Sequence, residues 1–169
     1  AGRTMVASAG VVSLKTLTVR GVEVPAILYG TAWKEERTRE LTRAALSSGF
    51  RGIDTANQRK HYFEAAVGEA ISESGIPRES LFLQSKFTYA RGQDHRLPYD
   101  PRASYGAQVA DSFASSLEHL GTSYLDSYVL HAPAHAGGHD PGATARRERA
   151  RARVPLCPRG RHAPAHGYQ

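Results

Sequence analysis

The sequence is poor in the residues that would mark several common classes of protein. It has one cysteine, Cys157, which cannot form an internal disulfide, so a disulfide-stapled scaffold is excluded and a reducing compartment is favoured. No apolar run is long enough to cross a membrane, and residues 1–12 lack the apolar core of a signal peptide. We therefore predict a cytoplasmic protein with no membrane partner. The chain opens on Ala1 and its first methionine is Met5, so a plastid or mitochondrial leader upstream stays an open alternative.

Large apolar side chains are also scarce, and one segment accounts for most of the deficit. Hydrophobic residues make up 40% of the chain, below the usual range. Residues 132–169 contain no isoleucine, phenylalanine or tryptophan, and they carry seven arginines against two acidic residues, hence +5 of the net charge of +6. This composition predicts a basic, disordered tail over 134–169. The arginine run at 146–153 has no interleaved aromatic residues, so a nucleic-acid partner is not expected, and nucleic-acid binding by the tail is kept only as an alternative.

The part of the chain before this tail alternates between short apolar strands and amphipathic helices. Residues 14–24 are predicted to form a β-hairpin with its turn near Arg20-Gly21. Further strands are predicted at 26–30, 50–54, 81–86 and 125–130, and helices at 35–48, 61–74 and through Val109 to Leu120. Such alternation predicts a parallel sheet with right-handed crossovers. The fold class is therefore α/β, the N-terminal half of a (β/α)8 TIM barrel, which as a whole needs about 250 residues. The predicted domains are a flexible N terminus at 1–13, a partial barrel at 14–133 and the tail.

Three of the predicted strands each end on an ionisable residue. These residues are Asp54, Lys86 and His131. The carboxyl ends of parallel strands lie on one face of a β/α array, where catalytic groups are found. The sequence thus predicts that an acid, an ammonium and an imidazole converge although they are far apart along the chain.

A histidine also recurs every four residues at His131, His135 and His139, which is the spacing of a metal-binding helix face. A proline and two glycines within the same stretch argue against a helix there. No metal site is therefore predicted.

Several segments resemble the aldo-keto reductases, and they follow one another in that family's order. The resemblance is carried by 25–33, 49–56 (Gly-Phe-Arg-Gly-Ile-Asp-Thr-Ala), 62–71, 78–86 and 124–131. One such motif alone has limited specificity, whereas the ordered set in matching strand contexts is specific. The resemblance covers 14–133 and implies an NADPH-dependent oxidoreductase that reduces a small-molecule aldehyde or ketone to an alcohol.

The resemblance also implies roles for the converging residues. Tyr62 would be the general acid, and Lys86 would lower the phenol pKa from its ordinary value of about 10. Asp54 would anchor Lys86, and neutral His131 would orient the substrate carbonyl. The remaining assignments follow from the first and second strands: Gly30, Thr31 and Asp54 would border the cofactor, and Trp33 and His131 the substrate pocket.

Each of these residues has an ordinary structural explanation when taken alone. Asp54 could cap a turn, Lys86 could be a solvated strand end, and Tyr62 or His131 could be structural. Only their joint pattern favours catalysis.

The sequence departs from the family's pattern in three places. Gly52 stands where the family has a larger residue, and residues 57–60 lengthen the stretch after Asp54, so His61 and Tyr62 compete for the catalytic position. The family holds NADPH largely with residues that follow its fifth to eighth strands, and this sequence lacks them. We therefore expect a truncated, impaired reductase that self-associates through its incomplete barrel. The alternative is a catalytically dead half-barrel that acts only by binding a partner.

Overall fold

The computed structural model describes residues 15–19 and 21–132. The predicted flexible N terminus, the predicted basic tail, Cys157 and the histidines beyond His131 lie outside these residues.

A small antiparallel hairpin precedes the main sheet. It consists of β1 (Thr16–Val19) and β2 (Val22–Pro25), with Val19 paired to Val22 across the turn. Gly21 has φ +79° at this turn, a conformation that glycine adopts without steric cost. The hairpin predicted at 14–24 is therefore present, and the amide of Ala26 donates to the carbonyl of Lys15 at its open end, 2.8 Å away.

The main sheet has four parallel strands in sequential order. They are β3 (Tyr29–Gly30), β4 (Gly52–Asp54), β5 (Phe82–Phe87) and β6 (Ser127–Leu130). All three neighbouring pairs are parallel, as a β/α barrel requires. The predicted half-barrel is confirmed, although β3 pairs over two residues where the sequence predicted a strand at 26–30.

The departure at Gly52 has a steric cause. A Cβ atom built on Gly52 would lie 2.3 Å from Cδ2 of Leu28 and 3.1 Å from Cγ of Pro25. The first distance is shorter than real Cβ atoms show and the second is tight, so Leu28 fills the space that a larger residue at position 52 would take.

Three helices cover one face of this sheet: α1 (Thr38–Ser47), α2 (Glu64–Ser74) and α3 (Tyr105–Leu120). The hydroxyl of Ser104 caps α3 by accepting from the Ala107 amide, and Gly121 ends it with φ +62°. The helix predicted at 61–74 begins only at Glu64, which corrects the sequence prediction. The amides of His61 and Tyr62 both donate to the Gln58 carbonyl, 3.1 and 3.0 Å away, so these residues form a turn before the helix.

The hydrophobic core lies between the helices and this face of the sheet. It consists of Leu46, Ile53, Val67, Ile71, Leu81, Leu83 and Leu120, with Tyr29, Ile76 and Leu125 packed against it. Burial of each large aliphatic side chain contributes about 1.5–3 kcal/mol. Because side chains alternate along a strand, Ile53 and Leu83 point into this core while Asp54 and Gln84 point to the opposite face.

A buried polar cluster links α2, β5 and α3 on the helix side. The Glu64 carboxylate accepts from the hydroxyl of Ser85 at 2.5 Å and of Ser116 at 3.1 Å, and it lies 3.3 Å from Nδ1 of His119. The hydrogen bond to Glu64 is the main cause that raises the pKa of His119, against the opposing effect of burial. The two helices approach closely here, since a Cβ on Gly68 would lie 2.2 Å from the carbonyl oxygen of His119.

Strand β6 forms one edge of the described sheet. Its last residues, Val129 and Leu130, are 37% and 50% exposed. Within 15–19 and 21–132, no strand pairs with its outer side. Over the same residues, no helix is long and apolar enough to cross a membrane.

Candidate active site

An ion pair between Asp54 and Lys86 lies at the carboxyl ends of β4 and β5. Nζ of Lys86 is 2.7 Å from Oδ2 of Asp54 and also donates to the Thr55 carbonyl at 2.8 Å. The other carboxylate oxygen of Asp54 accepts from Nε2 of Gln84 at 2.7 Å. Both charged side chains are largely buried, so their interaction is less screened than that of a surface pair.

Tyr62 and His131 complete a cluster around this ion pair. Their ring centroids are 5.5 Å apart and the planes meet at 72°, an edge-to-face contact. Nζ of Lys86 lies 5.1 Å from the centroid of the Tyr62 ring. The fold thus brings together the four residues that the sequence proposed as catalytic, from two strand ends, one turn and the end of β6.

His131 is held by the strand that precedes it in the sheet. Its amide donates to the Phe87 carbonyl at 2.9 Å, and its Nδ1 is 2.8 Å from the hydroxyl of Thr88. Burial lowers the pKa of His131 first, and the positive charge of Lys86 lowers it further, against the raising effect of Asp54. The imidazole is therefore neutral near pH 7, and its Nδ1 is occupied by the contact with Thr88.

The pKa of Tyr62 is raised rather than lowered, which is contrary to the sequence-based expectation. Burial of the phenol is the main cause, and the negative charge of Asp54 adds to it. The Lys86 ammonium was expected to favour the phenolate, but it is paired at 2.7 Å with the carboxylate that opposes that effect. Near pH 7 the phenol is consequently protonated.

His61 occupies a different place from its neighbour Tyr62. Its ring stacks on the indole of Trp33, with centroids 3.6 Å apart and an angle of 30° between the planes. The Trp33 amide donates to the His61 carbonyl at 2.8 Å. Trp33 itself is 68% exposed and has φ +59°, a conformation that costs energy for a bulky residue.

The residues assigned to the cofactor lie next to Asp54. Gly30 pairs with Asp54 across β3 and β4, and a Cβ placed on it would meet no atom within 4 Å. Thr31 is fully buried, and its amide and hydroxyl donate to the Asp54 carbonyl at 3.0 and 3.1 Å. In this structure Thr31 holds the strand end that bears Asp54, and its contact with a cofactor stays a prediction.

Comparison with known proteins places this arrangement in a family. The model of the aldo/keto reductase family matches residues 26–138. The chain belongs to the aldo/keto reductase family. It is 39% identical over 113 residues to an aldo-keto reductase of Mycobacterium avium, covering 66% of this chain and 35% of that protein. It is 38% identical over 116 residues to the glyoxal reductase of Bacillus subtilis, covering 67% of this chain and 37% of that protein.

The fold is similar to that of solved members of the family. The crystal structure of a Bombyx mori aldo-keto reductase in complex with NADP matches with a TM-score of 0.57 at 26% identity. That match covers 72% of this chain and 39% of the Bombyx protein. The chain therefore spans a little over a third of the length of the relatives it matches, in keeping with the predicted N-terminal half.

Several residues around the candidate site are not predicted by the sequence patterns. Gln84 shares a face of β5 with Lys86, so strand alternation would have indicated that it points to the site. Thr88, Gln58 and Gln93 lie in irregular segments, where periodicity gives no signal. Among the residues that the structure describes, no group of three or more histidine, cysteine, aspartate or glutamate side chains is placed to hold a metal ion.

Proposed function

We propose that this chain carries the proton-donating half of an NADPH-dependent reductase that converts an aldehyde or ketone to an alcohol. The observation that supports this most directly is the Asp54–Lys86 ion pair at 2.7 Å beneath the edge-to-face rings of Tyr62 and His131. A cation, a phenol and a neutral imidazole at one strand edge are the groups that carbonyl reduction requires on the protein side.

Tyr62 donates the proton in this proposal. A phenol, whose ordinary pKa is about 10, is protonated near pH 7, which is the form needed to protonate a developing alkoxide. The Lys86 ammonium stabilises the negative charge that then appears on the phenolate oxygen. Asp54 and the Thr55 carbonyl hold that ammonium through hydrogen bonds of 2.7 and 2.8 Å.

His131 orients the substrate. Nδ1 is engaged by the Thr88 hydroxyl, so Nε2 is the nitrogen that would donate to the carbonyl oxygen. The lowered pKa of His131 keeps the ring neutral and available for this single directed hydrogen bond.

In this proposal the described residues border one end of the cofactor. The open space over Gly30, directly beside Asp54, would accept a flat ring at the strand edge. NADPH, when bound, would supply the hydride. The choice of NADPH is supported by the Bombyx mori relative, which was crystallised with NADP.

A carbonyl substrate is supported by the relative from Bacillus subtilis, whose name describes it as a glyoxal reductase.

A second candidate function is partner binding by a catalytically inactive half-barrel. It is favoured by the exposed Val129 and Leu130 on the outer strand of the described sheet.

A chimera separates the two functions. Residues 26–132 would replace the matching segment of the Bacillus subtilis glyoxal reductase, so that the relative supplies the rest of the barrel. NADPH oxidation with a dicarbonyl substrate that is lost on Lys86→Met supports the reductase. A folded chimera that binds NADPH but shows no turnover favours the inactive half-barrel.

A further inference from the structure

Two buried glutamines tie the lengthened segment after Asp54 to the loop after β5. Nε2 of Gln58 donates to the carbonyl of Gly92, and Nε2 of Gln93 donates to the carbonyl of Asn57, each at 2.7 Å. Each side chain therefore binds the backbone residue that immediately precedes the other glutamine. Both side chains belong to residues that are 8% exposed. We call this reciprocal pair the glutamine clamp.

Other contacts fix the clamp on both sides. The side-chain amide of Asn57 donates to the Ser112 carbonyl of α3 at 2.9 Å, and the backbone amide of Asn57 donates to the Lys86 carbonyl at 3.3 Å. On the other side, a Cβ on Gly92 would lie 2.7 Å from Cγ2 of Thr88, so the loop cannot accept a side chain there without a shift. The clamp thus joins the ends of β4 and β5 to α3.

The backbone of the same glutamine holds the turn that carries the two competing rings. The Gln58 carbonyl accepts from the amides of both His61 and Tyr62, at 3.1 and 3.0 Å. The His61 carbonyl in turn accepts from the Trp33 amide at 2.8 Å. A displacement of Gln58 would therefore move both rings and the loop that bears Trp33.

The clamp leaves polar atoms unsatisfied. Within the described part of the chain, Oε1 of Gln58, Oε1 of Gln93 and Nδ1 of His61 are buried and have no hydrogen-bond partner in the protein. Buried polar atoms of this kind lower stability, so packing alone would favour apolar residues at these positions. Unsatisfied groups that persist next to a candidate site are consistent with a geometric role.

We propose that Gln58 and Gln93 are positioning residues, which direct Tyr62 to Lys86 and His131 and direct its neighbour His61 to Trp33. The inference deepens the proposed function and rests on it, because the orientation of Tyr62 matters for carbonyl reduction. Without the clamp, the lengthened segment 57–60 would not determine which of the two adjacent rings, that of His61 or that of Tyr62, lies beside Lys86. Neither glutamine touches the reacting groups, so each acts on the position of Tyr62 only through the turn that the Gln58 carbonyl holds.

The experiment compares variants of the 169-residue chain with readouts that need no turnover. Gln58→Ala and Gln93→Ala each remove one arm of the clamp, and Gln58→Glu keeps the side-chain size while removing the donor. Gln108→Ala is the matched control, because Gln108 is 4% exposed and its amide binds the Pro101 and Ala103 carbonyls near the start of α3. Each Tyr62 and His131 signal is followed by NMR with carbon-labelled tyrosine and histidine, and is assigned with Tyr62→Phe and His131→Gln.

Loss of either arm should shift the titration midpoint of Tyr62 downward and that of His131 upward, each toward the ordinary value of its side chain, because the rings separate and become solvated. The fluorescence of Trp33, the single tryptophan of the chain, should change in the same variants. The double variant should shift no further than the larger single effect, since both arms close one connection. Gln108→Ala should lower stability without moving any of these signals.

The proposal is overturned if folded clamp variants lose stability as Gln108→Ala does while Tyr62, His131 and Trp33 keep their wild-type signals. If Gln58→Ala does not fold, Gln93→Ala and Gln58→Glu decide the question by the same criteria. Since the signals are independent of NADPH, failure of the reductase function would leave this result unchanged.

Discussion

His61 and Tyr62 are adjacent in the sequence, yet their rings contact different partners. The first stacks on Trp33 with centroids 3.6 Å apart, and the second meets His131 at 5.5 Å. The two consecutive rings diverge because the backbone amides of both residues donate to one carbonyl, that of Gln58, in a turn before α2. The divergence decides which of the two residues is near the Lys86 ammonium, and it can be tested by substitution.

Tyr62→Phe should remove carbonyl reduction in the chimera with the Bacillus subtilis relative. The phenylalanine keeps the edge-to-face packing but has no proton to give, and general acid catalysis contributes about 10²–10⁴-fold to rate. The measurement is NADPH oxidation at saturating substrate. His61→Phe is the matched control, since it keeps the stack on Trp33, and most of the activity should survive. The opposite pattern would transfer the acid role to His61.

Asp54→Asn should destabilise the chain, because it leaves the Lys86 ammonium without its carboxylate in a largely buried position. We expect the free energy of unfolding to fall by about 2 kcal/mol, somewhat less than for a fully buried pair because both side chains keep some exposure. Urea denaturation of the chimera with the Bacillus subtilis relative, in which the barrel is complete, measures the change. Asp100→Asn breaks the exposed contact with Arg102 and serves as a control that should leave the midpoint unchanged. Equal effects of the two substitutions would show that the site pair is no stronger than a surface pair.

Stability should depend on pH through His119. A folded-state pKa raised by Glu64 above the unfolded value of about 6.5 means that the charged imidazole stabilises the fold. This contribution is complete below about pH 6.5 and is lost as the pH rises through the raised pKa. The effect is small, because the side chain is 42% exposed and partly screened by solvent.

The check is urea denaturation of the same chimera, with His119 as the wild type and with His119→Gln as the variant, at a series of pH values across this range. The wild type should lose more stability than the variant as the pH rises. A wild-type curve parallel to that of the variant would show that His119 contributes nothing.

The purified 169-residue chain should associate in solution, melt with weak cooperativity and oxidise no NADPH with simple aldehydes. The expectation rests on the outer edge of β6, where Val129 and Leu130 are exposed and where no strand among residues 15–19 and 21–132 pairs with the backbone, so that another chain can pair there. Light scattering after gel filtration, a thermal melt and a cofactor assay test the three parts. A monomer with a sharp transition and steady turnover would contradict them.

The sequence predicted the strand ends of the site better than the segments between them. Asp54 and Lys86 follow apolar strands, and parallel pairing brings such ends together whatever lies between. The spacing of Phe63 and Val67 is helical, so the sequence predicts that the helix begins at residue 61. In the structure the amides of His61 and Tyr62 bind the Gln58 carbonyl in a turn, and α2 begins only at Glu64. Helical periodicity does not report where a backbone turn competes with the first helical hydrogen bonds.

The glutamine clamp and the pKa of Tyr62 could not be predicted for a related reason. Gln58 and Gln93 come from loops that have no repeating pattern, and they meet only when β4 and β5 are side by side. The rise in the pKa of Tyr62 comes first from burial, which depends on how neighbouring segments cover the ring. The sequence predicted both the Lys86 ammonium and its pairing with Asp54, but it did not indicate that burial and the Asp54 charge would set the pKa of Tyr62.

The close approach of Leu28 to Gly52 couples the effects of substitutions at these two positions. A methyl group at position 52 would overlap Cδ2 of Leu28, which is 2.3 Å from the point where it would stand. The side chains at positions 52 and 28 therefore compete for the same space beside the sheet. A larger residue at 52 requires that the Leu28 side chain move or be replaced by a smaller one, and that the Pro25 ring, 3.1 Å away, give way slightly. A substitution at 52 should therefore be less harmful when Leu28 is also made smaller.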